Sequence, residues 1–174
     1  MNDSSLTTKK WLTRYGHKLC FFIAIFIWIC SLFQNVFTFG KEGQYEGFFV
    51  LIIGTIFGPG LGHIGYFAVY ANYIWFILIF ISLIRLQAKK FIFTLHGLLW
   101  VMALLTFTLN EVIVNEAGGH AKPTYGLGLY LWFTAFLLTT IAEFLKQRIY
   151  QNLKKNKVTT NIPVYFESRF KVLL

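Results

Sequence analysis

Three polar side chains lie inside long apolar runs and are the residues best placed to do chemistry. They are Asn72, His96 and Glu143. A polar group surrounded by hydrocarbon raises the free energy of a protein unless it finds a partner, so such groups often mark functional sites. Asn72 lies near the middle of its run. We expect it either to form a hydrogen bond that fixes two helices in register or to contact a ligand.

His96 and Glu143 are expected at similar depth in two different helices. An imidazole and a carboxylate that face each other can relay a proton. The simpler expectation is that Glu143 reaches toward Lys146 or Arg85, and that His96 bonds a backbone carbonyl. One acid and one histidine fall short of a catalytic site, so an enzyme acting on a lipid is the weakest of the hypotheses.

Three tyrosines recur at helical spacing in the second long apolar run. Tyr66, Tyr70 and Tyr73 are four and three residues apart, which predicts that they share one face of a helix. Trp132 and Tyr130 are expected at comparable depth on another helix. These side chains predict either an aromatic belt with ordinary helix packing or an aromatic cavity in the outer leaflet. Such a cavity would take a lipid, a quinone or another apolar ligand.

Small residues recur just before these tyrosines. Gly54, Gly58 and Gly62 are spaced by four, the spacing that lets membrane helices approach closely. Pro59 and Gly60 interrupt this series, because proline removes a helical hydrogen bond and glycine favours helix weakly. The pattern therefore predicts helix packing or a turn, in equal measure.

The sequence carries no signature for a metal, a cofactor or a catalytic nucleophile. It lacks the spacings of zinc sites, calcium loops, phosphate-binding loops and the Gly-x-Ser-x-Gly elbow. Five polar residues outside the apolar runs are possible ligands, although a solvated face is the expectation: Glu42, Glu46, Glu111, Glu116 and His120. We therefore predict a non-enzymatic protein without metal or cofactor.

The composition indicates the solvent that surrounds these residues. Of 174 residues, 56% are hydrophobic and 13% are charged, against about 25% charged in soluble domains. The net charge of +9 comes from basic residues that flank the apolar runs. This arrangement favours a membrane with an anionic cytoplasmic leaflet as the partner and argues against nucleic acid.

The apolar runs predict an all-α fold, a polytopic membrane four-helix bundle. The predicted spans are residues 19–39, 64–84, 91–109 and 126–145, each about 30 Å long as a helix. A basic arm, 1–18, precedes them, and a basic amphipathic tail, 146–174, follows them.

The apolar stretch 48–84 must contain a break, because it would be about 55 Å long as one helix, nearly twice the thickness of a bilayer core. Pro59 and its neighbouring glycines supply that break. We therefore expect residues 48–62 to form a re-entrant or interfacial segment on the outer side, the alternative being a strained span.

The basic residues predict the orientation of the spans. The arm, the loop 85–90 and the tail hold 4, 3 and 7 Lys or Arg residues, which is 14 of 16. Only Lys41 and Lys122 lie on the other side. The positive-inside rule therefore places both termini in the cytoplasm, and it disfavours a fifth span.

Four short motifs follow one another along the chain. They are a Gly-rich apolar stretch from Gly47 to Gly58, the Tyr-Ala-Asn sequence ending at Asn72, the Asn-Glu-Ala-Gly loop ending at Gly118, and the Gly-rich start of the fourth span, which ends at Trp132. In this order they resemble a set of uncharacterised small bacterial inner-membrane proteins, over roughly residues 20–145. The resemblance implies the four-span layout in the bacterial inner membrane and no activity.

Two functional hypotheses fit these features. The first is a non-enzymatic bundle that binds a partner in the membrane, as an accessory subunit or as an immunity protein against a pore-forming toxin. The second is a homo-oligomeric channel or small-solute transporter, in which the turn at Gly58 and Gly62 lines a path together with Asn72. Four spans rarely enclose a pore alone, so this second hypothesis requires oligomers.

Overall fold

The computed structural model describes residues 3–39, 43–84, 89–113 and 119–159. Four of the residues considered above, Lys41, Glu42, Arg85 and Glu116, lie outside these ranges. The Asn-Glu-Ala-Gly loop motif and the tail after residue 159 also lie outside them.

Helix dominates the described part of the chain. Five α-helices occupy it: α1 (Asp3–Leu32), α2 (Gly47–Phe57), α3 (Ala71–Leu83), α4 (Lys89–Leu104) and α5 (Leu127–Thr159). Three 3-10 helices extend them: Gly58–Leu61 after α2, Ile64–Tyr70 before α3 and Leu105–Thr108 after α4.

Within the described ranges, four helical segments are long and apolar enough to cross a membrane. They are Tyr15–Leu32, Ile64–Leu83, Lys89–Thr108 and Leu127–Ile149. The prediction of four apolar helices of membrane-spanning length is thus confirmed. The last three begin within two residues of the predicted positions, because each follows a loop rich in charged, glycine or proline residues.

The first segment differs from its predicted range of 19–39. Helix α1 ends at Leu32, and the chain continues as strand β1 (Asn35–Thr38). This strand pairs antiparallel with β2 (Gln44–Glu46) and with β5 (Thr124–Tyr125). The polar pair Gln34 and Asn35 ends the apolar run, and the Val-Phe-Thr sequence that follows favours strand.

A second, smaller pairing joins β3 (Val112–Ile113) to β4 (His120–Ala121). The expectation of a purely α-helical fold is therefore wrong where these short strands lie. They gather where α1 ends and α5 begins, and we call this the sheet end of the molecule. The opposite end, which holds the start of α4 and the basic part of α5, is the basic end.

Small side chains let the helices approach one another closely. Helix α1 lies along α5, and α3 lies along α4. Ala24, Ala71, Ala103, Ala135 and Ala142 are fully buried between the helices. Close approach through small residues is typical of helices that associate in lipid.

The outer faces of these helices carry large apolar side chains. Phe22, Phe26 and Leu83 are each about two-thirds exposed, at 70%, 67% and 72%. An apolar surface this extensive is suited to hydrocarbon and poorly suited to water.

Candidate functional site

An apolar cavity of about 530 Å³ lies at the sheet end of the helices. Its walls come from α2 and the two 3-10 helices that follow it, from β1, β2 and β3, from the 3-10 helix after α4, and from the sheet-end turns of α1, α3 and α5. The volume falls within the range of about 300 to 1,000 Å³ that is typical of ligand pockets. Among the described residues that line it, none is charged.

Helix α2 forms the wall between the cavity and the outside. Val50, Leu51 and Ile53 line the cavity, whereas Ile52 and Ile56 on the other face are exposed. The helix is apolar on all sides, as expected of a helix with cavity on one face and lipid on the other.

Two glycines bring α2 against its neighbours. A Cβ on Gly47 would overlap the carbonyl oxygen of Ser31 at the end of α1, and a Cβ on Gly54 would touch Val69. Glycine is thus required at position 47 by the close approach of another backbone.

The rim of the cavity is aromatic. Phe49 and Phe57 both line the cavity and are 44% and 54% exposed, so they mark the places where it opens. Both are on α2, next to its exposed apolar face. The cavity therefore opens on an apolar surface.

Asn72 lies at the floor of the cavity and is buried, with 6% of its surface exposed. Its Oδ1 accepts hydrogen bonds from Trp28 Nε1 at 2.9 Å and from Trp132 Nε1 at 2.6 Å. Its Nδ2 donates to the carbonyl oxygen of Val69 at 2.9 Å. Asn72 thereby joins α1, α3 and α5, as the register-fixing alternative for this residue would require, and Trp132 takes part in the same hydrogen bonds.

Polar groups of the lining are engaged within the protein. Besides Asn72, the Ser31 hydroxyl donates to the carbonyl oxygen of Trp28 at 2.6 Å. Tyr45 of β2 is half-buried at the cavity, and burial raises the pKa of its phenol above the ordinary value. The cavity therefore offers apolar contact in the main.

The character of the lining limits what the cavity can hold. Its walls are apolar and it opens beside the exposed apolar face of α2, so water would find few hydrogen-bond partners inside it. Apolar cavities in proteins stay dry and take up apolar molecules instead. The geometry therefore favours an apolar occupant.

Of the three tyrosines, one lines the cavity and two bond α2. Tyr66, in the 3-10 helix Ile64–Tyr70, lines the cavity and lies against Gly58, just after α2. The hydroxyl of Tyr70 donates to the carbonyl oxygen of Thr55, and that of Tyr73 bonds the Thr55 hydroxyl at 3.0 Å. Tyr70 and Tyr73 thus attach α2 to the second apolar segment.

The Gly-Pro-Gly sequence forms a turn. Gly58, Pro59 and Gly60 lie in the 3-10 helix after α2, and Gly62 follows with a left-handed φ of 71°. A Cβ on Gly58 would touch Tyr66, so the turn packs on the cavity wall. Gly60 has open space around it. Turn geometry, rather than a continuous small-residue seam, explains this sequence.

His96 and Glu143 lie near the basic end, away from this cavity, and line a separate space of about 10 Å³. His96 Nδ1 donates to the carbonyl oxygen of Ile92 at 3.0 Å, and its buried Nε2 has no partner among the described residues. Lys146 Nζ is 3.3 Å from Glu143 Oε2 and donates to Ser82 Oγ at 3.2 Å. Nothing in these contacts forms a catalytic pair.

Of the five possible outer metal ligands, the structure describes Glu46, Glu111 and His120. Glu111 and His120 are exposed, with 3.8 Å between His120 Nδ1 and Glu111 Oε2. In the described part of the chain, no three His, Cys, Asp or Glu residues gather as a metal would require.

Sequence reasoning missed the tryptophans and threonines that bond across the helices. Trp75 Nε1 donates to Thr139 Oγ1 at 2.7 Å, and Trp100 Nε1 donates to Thr140 Oγ1 at 3.2 Å. Trp28 stacks on Trp75, with 5.3 Å between ring centroids. The sequence does contain a signal for these bonds, because several tryptophans lie in the interior of apolar runs, away from the interfacial belt where tryptophan is common.

Comparison of the chain with protein-family models, with curated proteins and with solved structures gave no match.

Proposed function

We propose that this chain is a multi-pass protein of the bacterial inner membrane, a four-helix bundle with both termini in the cytoplasm. The four apolar segments support the number of spans. The division of basic residues, 14 on one side and 2 on the other, supports the orientation. In this arrangement the basic end faces the anionic leaflet, and the cavity lies in the outer half of the bilayer.

We infer further that α2 is a re-entrant or interfacial segment on the outer side. Its 11 residues extend about 16 Å, half of a bilayer core. It starts beside Ser31, in the last turn of α1, and ends beside Tyr66, at the start of the second apolar segment. Both neighbours belong to the sheet end, which supports a helix that does not cross.

The function we propose is non-enzymatic: the protein acts by binding a hydrophobic partner in the membrane. The cavity carries this proposal, because it is large, apolar and bordered by exposed phenylalanines. An accessory subunit and an immunity protein against a membrane-active toxin both act in this way.

The alternative, a homo-oligomeric channel or transporter, requires Asn72 to face a path. Its low exposure and its bonds to two indoles speak for a structural role instead. We therefore place binding first.

Photo-crosslinking in native membranes tests the binding proposal. A photoreactive phenylalanine analogue at Phe57, on the rim, should give a discrete adduct, because a bound partner passes this position. The same analogue at Phe22, a matched exposed position on α1, should give only diffuse lipid labelling. Identical adduct patterns at the two positions would contradict the proposal.

A further inference from the structure

We propose that the cavity holds an acyl chain of a phospholipid from the outer leaflet, with its headgroup outside the cavity. This inference rests on the proposed function and names the chemistry of the partner. It follows from the volume of the cavity, from its exposed apolar rim and from the hydrogen bonds that its polar residues already make.

The volume of the cavity limits the size of its occupant. About 530 Å³ lies within the range of about 300 to 1,000 Å³ that is typical of small-ligand pockets. A helix about 10 Å across and about 30 Å long has a volume of about 2,400 Å³. A whole transmembrane helix of a partner protein therefore does not fit inside the cavity, whereas extended hydrocarbon does.

An extended peptide is excluded by its backbone. Each of its N–H and C=O groups would need a partner at membrane depth. Asn72 and Ser31, which line the cavity, already bond Trp28, Trp132 and Val69. An acyl chain makes no such demand, since it has no polar groups to satisfy.

The rim of the cavity indicates that the acyl chain enters from the bilayer. Phe49 and Phe57 are exposed beside the apolar face of α2, so an occupant enters from hydrocarbon rather than from water. No charged side chain is present among the described lining residues to hold a headgroup inside. A phospholipid satisfies both conditions, because its chain is already in the bilayer and its headgroup stays at the surface.

Labelling of buried residues from a lipid probe tests this inference. The full-length protein would be reconstituted in vesicles of phosphatidylethanolamine and phosphatidylglycerol that contain a phospholipid with a diazirine on its acyl chain. After irradiation, we expect adducts on Val36 and Val69, which line the cavity and are 7% and 6% exposed. Bulk lipid does not reach residues as buried as these two valines. Ile56, which is exposed, should be labelled by bulk lipid whether or not the cavity is occupied.

A variant that fills the cavity provides the second arm. In Ala68→Phe the added ring occupies the space beside Val69, and the adducts on Val36 and Val69 should be lost. The matched variant Ile56→Phe, on the lipid-facing side of α2, should keep them. Absence of adducts on the two valines in the unaltered protein would overturn the inference, and this readout requires no variant to fold. Persistence of the adducts in Ala68→Phe would overturn it as well.

The two experiments together distinguish failure of this inference from failure of the proposed function. If the rim crosslinks in native membranes to a protein while the buried valines take no lipid adduct, binding stands and the acyl chain is wrong. If the rim gives no discrete adduct and the valines take none, both proposals fail.

Discussion

Asn72 shows how one polar residue holds several helices together. Its Oδ1 receives two indole N–H groups from different helices, and its Nδ2 satisfies a backbone carbonyl in its own. In a low-dielectric environment a buried donor that loses its acceptor is costly. The energetic role of Asn72 thus lies as much in satisfying Trp28 and Trp132 as in its own bonds.

Asn72→Leu should lower the free energy of unfolding by about 1 to 3 kcal/mol, because two buried indole donors lose their acceptor. Denaturation with SDS in detergent micelles, followed by tryptophan fluorescence, measures the change. Thr134→Val is the control, since Thr134 is exposed and its hydroxyl bonds only the carbonyl of Tyr130 in the same helix. Equal losses in the two variants would show that the indole bonds contribute nothing.

Tyr45 gives a prediction about alkaline pH. In the unfolded chain a tyrosine releases its proton near pH 10, whereas burial raises the pKa of Tyr45 in the folded protein. Above pH 10 the unfolded state therefore binds fewer protons than the folded state, and the free energy of unfolding falls as the pH rises. Thermal unfolding between pH 9 and about 11.5 should show a shallower decline for Tyr45→Phe than for the unaltered protein.

The control for this titration is Tyr130→Phe, which removes an exposed phenol. Its decline with pH should follow that of the unaltered protein. If the stability of Tyr45→Phe declines with pH just as steeply as that of Tyr130→Phe, Tyr45 is not responsible for the loss of stability at alkaline pH.

At the scale of elements, the long helices could be predicted from the sequence and the short strands could not. Three helical segments begin close to their predicted positions, because loops with glycine, proline or charge bound each apolar run. The sequence predicts the end of a helix where strand β1 lies, because Val36, Phe37 and Phe39 resume the apolar pattern just after Gln34 and Asn35. Short apolar runs do not distinguish strand from helix by periodicity.

The cavity could be predicted only in part. An aromatic cavity that includes Tyr66 and Trp132 is one of the two alternatives that the sequence offers, and both residues line the cavity. The contribution of α2 as a wall could not be predicted, because it depends on how the chain turns back at Gly62. The sequence also does not indicate the 3-10 helix at Ile64–Tyr70, and Tyr70 and Tyr73 bond Thr55 instead of lining the cavity.

The junction of β1 with α5 offers a test at this scale. The N–H of Gly126 donates to the carbonyl oxygen of Val36 at 2.9 Å, and a Cβ on Gly126 would overlap the carbonyl oxygen of Asn35. Gly126→Ala should therefore force the strand and helix apart and lower the free energy of unfolding by about 1 to 3 kcal/mol. SDS denaturation measures this loss.

Gly97→Ala is the matched control, because Gly97 lies in the middle of α4 with nothing near its Cβ position. It should leave stability unchanged or raise it slightly through better helix propensity. A loss in Gly97→Ala as large as that in Gly126→Ala would contradict the packing explanation.

At the scale of the whole molecule, charge and structure divide the protein along its length. Strands and cavity lie at one end, while Lys89, Lys90 and the basic part of α5 lie at the other. The orientation that we propose rests on charge alone, because the apolar middle of the protein favours neither direction. The proposal that the cavity opens in the outer leaflet therefore depends on 14 basic residues that do not line the cavity.

Thiol labelling in intact cells tests this orientation. Cys20 and Cys30 would first be replaced by alanine, since both are free thiols. Asn110→Cys, exposed at the sheet end, should react with a membrane-impermeant maleimide in intact cells, because we place that end outside. Gln151→Cys, exposed in the basic part of α5, should react only after lysis. The reverse pattern would put the cavity in the cytoplasmic leaflet, and labelling of both positions in intact cells would require an even number of crossings between them.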